Sequence, residues 1–288
     1  MARVSETEIE RAVSALRPFS GVARDLLRVT ADPSHAVADV VAVIERDPGL
    51  TIRLLEIANS PVFAPASPIE SVDRAVGFMG ERGVVAAALE RAADWLHAPL
   101  EGYGARSALF EEGLRTATAS SQLARSTGFG DLASTAFTAG LLHDVGRIVG
   151  STLLAPLGAE ARAAWLAEPE IDGLAVETRL IGLDHCALGA RVAIRFELPE
   201  SLRAAIEFHH APSGASAEHR PLVAIVHLAD AIRAMIGGDD AVDALAHRFE
   251  RGVVEWLGLE EESLERVMFE SWLEAEKLMR AVGRGSGG

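Results

Sequence analysis

Apolar positions recur at three- and four-residue spacing through most of the 288-residue chain, and strict alternation of apolar and polar residues is scarce. The first spacing lines up side chains on one helix face, whereas alternation would line one face of a strand. The pattern therefore predicts helices throughout. Ile69, Val72 and Val76 share one such face and are read as core. Frequent alanine and an aromatic content of only 5% agree with this reading. The expected fold class is all-α.

Local punctuation marks the helix ends. Ser5 with Glu8, and Ser67 with Glu70, fit capping boxes, in which the hydroxyl accepts from a first-turn amide and the carboxylate reaches back. Pro48, Pro68 and Pro199 each suit a first helical position, where the missing amide hydrogen costs no intrahelical bond. Asn59-Ser60-Pro61 should end the helix before it. Further helices are expected over 107–126, Asp131–His143, Asp184–Phe196 and Pro199–His210. Residues 251–282, with Trp256, Leu257, Leu264, Val267, Met268 and Trp272, read as amphipathic. Their acidic face would be repelled by anionic lipid, so they are expected to pack on the bundle. Gly102-Tyr103-Gly104 interrupts the periodicity. It divides the chain into an N-terminal helical lobe, 1–103, and a second helical lobe with C-terminal helices, 104–282. Residues 283–288 read as a frayed tail.

Charge and cysteine usage narrow the setting. A formal net charge of −15 and a pI near 5.0 argue against a broad nucleic-acid surface. Cys186 is the single cysteine, so no intrachain disulfide can form, and a reducing cytoplasm is the expected location. The thiol itself is read as a small buried side chain. No basic start precedes an uninterrupted apolar stretch, and no run approaches the roughly 20 apolar residues of a membrane span. No membrane partner is expected, and homo-oligomerisation is left open.

The candidate chemistry lies in four segments: His143-Asp144 within Leu141–Arg147, Asp184-His185, Glu207-Phe208-His209-His210, and His227-Leu228-Ala229-Asp230. An Asp can bridge cations through its two oxygens, while neutral imidazoles fill other positions without adding charge. The competing reading of His143-Asp144 is a buried polar pair without metal. His185 could equally follow an Asp184 N-cap and bond locally. Adjacent helical side chains point about 100° apart, so at most one of His209 and His210 should enter a shared site. Asp230, on an apolar helix, needs a cation, a donor or a proton. His227 lies three residues earlier and can share its face in a supporting role. Arg147 is read as a surface salt bridge or as an anion contact at the pocket mouth. His35, His97, His219 and His247 lie outside these segments and are read as solvated or locally satisfied.

In their order, the four segments resemble the HD phosphohydrolase superfamily. That resemblance implies an all-helical bundle holding one or two divalent cations, Mg, Mn or Fe, that activate water for phosphoester hydrolysis. It assigns His143, Asp144, His185, His209, His210 and Asp230 to ligand positions. The superfamily pattern opens with a His before the signature pair, but no His lies between His97 and His143; Glu112 stands near the expected place and is the only substitute. Arg147 replaces the Lys that commonly follows the pair. Ala211-Pro212-Ser213-Gly214 stands where cyclic di-GMP phosphodiesterases carry Gly-Tyr-Pro.

A nearer resemblance is to the HDOD group, HD-related output domains of bacterial signalling proteins. It is carried by Asp47-Pro48-Gly49-Leu50, Ala58-Asn59-Ser60 and Ile69-Glu70-Ser71 with Ala75-Val76, and runs from about residue 12 to 235. It implies a cytoplasmic signalling or protein-interaction module with a degenerate pocket, an unknown signalling protein as partner, and no efficient hydrolysis. A metal-dependent phosphohydrolase and a nucleotide sensor that binds without cleaving are the alternatives.

Overall fold

A computed structural model describes residues 4–92, 94–98, 100, 103, 109–158, 163, 173–236 and 252–282. Among these residues there are helices and turns but no strand. The N-terminal helices are α1 (Glu6–Ala15), α2 (Gly21–Thr30), α3 (Val37–Ile44), α4 (Pro48–Ala58) and α5 (Val72–Ala92). They are followed by α6 (Leu109–Ser126), α7 (Ala133–Leu142), α8 (Gly146–Leu154), α9 (Gly173–Leu180), α10 (His185–Arg195) and α11 (Glu200–Phe208). The last are α12 (Arg220–Ile236), α13 (Gly252–Trp256) and α14 (Glu261–Val282). The boundary proposed at Gly102 and Gly104, positions 107–108 of the expected long helix, His247 and the tail 283–288 lie outside the described residues.

Several starts follow the local sequence. Ser5 and Glu8 form the expected capping box on α1. Asp47 caps α4 by accepting from the amides of Gly49 and Leu50, with Pro48 just inside the helix. The second expected box does not form. Asn59 Nδ2 donates to Ile69 O, and Ile69 N donates to Asn59 Oδ1, both at 2.8 Å. These bonds commit the backbone of Ile69 to Asn59, so Pro68 starts no helix. The next helix begins at Val72, with Ser71 Oγ accepting from Arg74 N. Ile69 is nonetheless buried beside Val72 and Val76.

Gly80 interrupts α5 at φ 74°, ψ 159°, a conformation that side-chain-bearing residues rarely adopt. Just beyond this kink, Glu81 Oε2 lies 2.8 Å from His35 Nε2, while His35 Nδ1 donates to Asp32 O. Burial opposes the protonated ring, but the Asp32 carbonyl and the Glu81 carboxylate together raise its pKa above the ordinary 6.5. A raised folded value means this contact stabilises fully below 6.5 and is lost as pH climbs through the folded value. Thermal melts of wild type and His35→Gln should therefore converge as pH rises; a difference independent of pH would remove the histidine charge from the account.

Close backbone contacts position the second group of helices. On α6 and α7, a Cβ on Gly140 would lie 2.8 Å from Ala117 Cα, and one on Gly113 would lie 2.5 Å from Leu141 O. Glycine at these places lets two helices meet at backbone distance. α6 also packs on α12 and α14, α8 on α10, and α10 on α11. α1 rests on α8 and α10, so the N-terminal helices are not isolated from the rest. Phe19, before α2, meets Phe196, after α10, edge to face at 5.4 Å. α14 buries Val267, Ala275 and Leu278 but leaves Trp272 and Phe269 largely outside.

Candidate functional site

Four helix ends deliver the polar residues to one interior point. His143 caps the C-terminus of α7 and Asp144 occupies the turn before α8, so both project from a sharp corner. His185 opens α10 behind an Asp184 N-cap that accepts from Ala187 N. His209 and His210 follow α11, and His227 and Asp230 lie on α12. All are buried except His210, which is partly buried.

The imidazoles are anchored through one nitrogen and present the other. His143 Nδ1 donates to Gly140 O at 2.7 Å, and His209 Nδ1 donates to Ile206 O at 3.0 Å. His185 Nδ1 lies 2.9 Å from a carboxylate oxygen of Glu177, which also accepts from the His185 backbone amide. In a neutral ring, a proton on Nδ1 leaves Nε2 as a lone pair, the arrangement usual in histidines that ligate metals. His227 Nδ1 donates to His209 O at 2.7 Å and so steadies the turn after α11.

The Nε2 atoms converge. That of His185 lies 3.3 Å from His209 Nε2, 3.2 Å from His210 Nε2 and 3.2 Å from Asp144 Oδ1. His209 Nε2 is 3.5 Å from the same oxygen. Facing lone pairs at this distance repel unless a proton or a cation lies between them. Asp144 Oδ1 is buried and completes a directed hydrogen bond with none of its neighbours. Ligands about 2.0–2.1 Å from a tetrahedral centre stand about 3.3–3.4 Å apart, close to the spacing here. The donor set and the orphaned oxygen thus fit a divalent cation. Two overlapping ligand groups result: His185, Cys186, His209 and His210, and His143, Asp144 and His209.

Electrostatics agree with a demand for positive charge at this point. Burial disfavours ionised Asp144, but His143, Arg147 and His185 hold its carboxyl well below the usual range. Burial also disfavours a charged His209, yet Cys186 and Asp144 push its pKa up to about 10. His185 is raised well above the ordinary value, against burial, by Glu177, Cys186 and Asp144.

The other side of the pocket is already neutralised. Arg147 Nη1 lies 3.2 Å from Asp144 Oδ2 and 3.4 Å from Glu112 Oε2. Arg233 Nε donates to Asp230 Oδ1 at 3.0 Å, and its Nη1 is 3.8 Å from Glu112 Oε2. Asp230 Oδ1 is also 3.3 Å from His143 Nε2.

A sequence model of the HDOD domain matches residues 16–212. The chain belongs to the HDOD family. This HDOD chain is 26% identical over 215 residues to an uncharacterized protein of Treponema pallidum (strain Nichols), covering 75% of the chain and 41% of that relative. Its fold is shared with an HDOD domain protein of unknown function from Geobacter sulfurreducens, at 24% identity and TM-score 0.68, covering 96% of each chain. A provisionally named signal transduction protein from Marinobacter aquaeolei VT8 aligns at 21% identity and TM-score 0.73. That alignment covers 96% of this chain and 64% of the other, so this HDOD chain spans less than two thirds of either the Treponema or the Marinobacter protein. A provisionally named phosphohydrolase from Shewanella amazonensis SB2B aligns at 20% identity and TM-score 0.67, covering 96% and 98%.

The geometry revises three expectations for this HDOD pocket. His209 and His210 both face His185: His209 keeps helical backbone angles as the C-cap of α11, yet the Nε2 atoms of both rings come within 3.3 Å and 3.2 Å of His185 Nε2. Arg147 is buried between carboxylates, not at the surface. Glu112 meets Arg147 and Arg233 and is a member of neither imidazole ligand group. His143, Asp144, His185 and Asp230 do converge. Sequence reasoning missed Glu177, Arg233 and Tyr103. Arg233 was findable from its i,i+3 spacing to Asp230. Glu177, a lone carboxylate after Leu174-Ala175-Val176, carried only a weak signal. Tyr103, the single tyrosine, packs its ring 4.8 Å from the Arg147 guanidinium; burial first, then the Glu177 carboxylate, raises its pKa well above the ordinary value.

Proposed function

We propose that this protein is a bacterial-type cytoplasmic signalling module that acts by contact with another protein. In this reading its HD-derived pocket holds one divalent ion and hydrolyses phosphoesters inefficiently. The carrying observation is the pair of guanidinium groups, buried Arg147 and partly buried Arg233, spread over Glu112, Asp144 and Asp230. A two-ion mechanism needs carboxylates available to two closely spaced cations. Here those carboxylates already have cationic partners from the chain itself. The signal-transduction name of the Marinobacter relative supports the module reading, and no helix among the described residues is long and apolar enough to cross a membrane.

One observation favours a metal-dependent phosphohydrolase as the second reading: Asp144 Oδ1, buried and unbonded, faces the imidazoles. A cation held by His185, His209, His210 and Asp144 would lower the pKa of bound water and polarise a phosphoryl oxygen. Glu177 would hold the His185 ring in place, and Arg147 would keep Asp144 ionised. Metal-supplemented protein should turn over cyclic dinucleotides and generic phosphoesters only marginally, and Asp144→Ala should change Tm or partner binding more than turnover. Robust metal-dependent turnover abolished by Asp144→Ala would make the hydrolase reading correct.

A further inference from the structure

Cys186 is the second residue of α10, directly after His185, and is buried. Its Sγ lies 3.9 Å from both Nδ1 and Nε2 of His209. Donor atoms of His185, Cys186, His209 and His210 all fall within 4.8 Å of one another. A buried structural thiol is normally surrounded by hydrocarbon; this one stands against imidazoles at the start of an eleven-residue helix, where aligned amides favour an anion. Asp144 supplies an independent sign of a ligand. Its Oδ1 is buried, completes no directed hydrogen bond, and lies 3.2 Å from His185 Nε2 and 3.5 Å from His209 Nε2.

We propose that Cys186 supplies a thiolate to the imidazole cluster, forming a single-ion His185–Cys186–His209–His210 centre for a borderline divalent metal of the zinc or ferrous class. The inference rests on the metal-pocket reading above and gives it a metal class. In a tetrahedral centre with metal–sulfur near 2.3 Å and metal–nitrogen near 2.05 Å, sulfur and nitrogen stand about 3.6 Å apart. Towards His209 Nε2, closing from 3.9 Å requires a movement of about 0.3 Å, and every other donor pair of the four already lies within 4.8 Å. Three imidazoles and a sulfur disfavour magnesium, which demands oxygen ligands in octahedral geometry. Binding exchanges the thiol proton for the metal, so the proton is released to solvent as the metal–sulfur bond forms. Glu112 and Asp230 are held by Arg147 and Arg233, so these two carboxylates already have cationic partners from the chain.

The test is cobalt substitution of the full chain, read by absorption, with zinc affinity measured by competition against a chelator. Wild type should bind about one Co²⁺ and show both the visible ligand-field bands of a low-coordinate ion and a near-ultraviolet thiolate-to-cobalt charge-transfer band. Cys186→Ser should keep the ligand-field bands, lose the charge-transfer band and bind Zn²⁺ at least about tenfold more weakly. Cobalt bound by wild type without the charge-transfer band would overturn the thiolate assignment while leaving the metal pocket intact. The wild-type spectrum decides this even if the serine variant fails to fold. Absence of stoichiometric Co²⁺, Zn²⁺ or Fe²⁺ from wild type would overturn the pocket reading together with this one.

Discussion

Alanine at position 146 should damage the pocket more than replacement of any of its polar side chains. A Cβ built on Gly146 overlaps the carbonyl oxygen of His185 and comes within 2.5 Å of Gly189 N and 2.9 Å of Gly189 Cα. All three are backbone atoms, so no rotamer change can make room. α8 would have to move away from α10, drawing Asp144 from His185. Overpacking a core commonly costs about 1–3 kcal/mol, and with rigid backbone as the obstacle the expected loss is about 3 kcal/mol or more. That corresponds to a Tm lower by roughly 6–12 °C. Gly77→Ala is the matching control, since a Cβ there meets nothing within 4 Å on an exposed helical face. It should hold or raise Tm, because alanine favours helix over glycine by up to about 1 kcal/mol. Equal melting temperatures for the two variants would contradict the close approach of α8 to α10.

Arg147→Met should be nearly as costly, through charge and not volume. Arg147, Glu112 and Asp144 are each at most 6% exposed, so removal of the guanidinium leaves two carboxylates to share fewer cationic partners out of water. Breaking a buried ion pair from one side costs about 3–5 kcal/mol. Arg233, at 3.8 Å from Glu112, and His185, at 3.2 Å from Asp144, soften the loss, which places the expectation near the lower bound, about 3 kcal/mol. Adding Glu112→Gln should restore part of it, because the second charge is then removed as well. Arg147→Lys should restore charge without the forked donor geometry and fall between the two. Denaturant unfolding of wild type, Arg147→Met, Glu112→Gln and the double variant measures the coupling directly. Additive losses for Arg147→Met and Glu112→Gln would mean that the two residues do not act as a pair.

The helices and their caps were legible because both depend on neighbours in sequence. A repeat of three to four residues specifies a helix wherever its apolar face finds a partner, and Ser5, Asp47 and Asp184 cap by reaching amides only two or three positions away. The convergence of the polar segments was legible for a related reason: each is a short run of titratable residues in an apolar setting, where burial without a partner is too costly to be incidental. The Ser67–Glu70 box marks the limit of such local reasoning. Its residues suit a helix start, but Asn59, ten positions before Ile69, takes the backbone bonds of Ile69 for a different turn.

Only the tertiary structure decided which way the polar groups face. His209 and His210 both reach His185 because α10 brings that ring against the C-terminus of α11, a placement that the spacing of two adjacent histidines does not reveal. Glu177 lies eight residues before His185 and Glu112 lies 35 before Arg147, so neither pairing is written in a local spacing. The division of the pocket into an imidazole side and a guanidinium-filled side follows from the same long-range packing. Helix periodicity is a property of consecutive residues, whereas hydrogen-bond direction and ion pairing depend on a few ångströms between segments far apart in the chain, and Gly146 and Gly189 set those distances by letting two backbones touch.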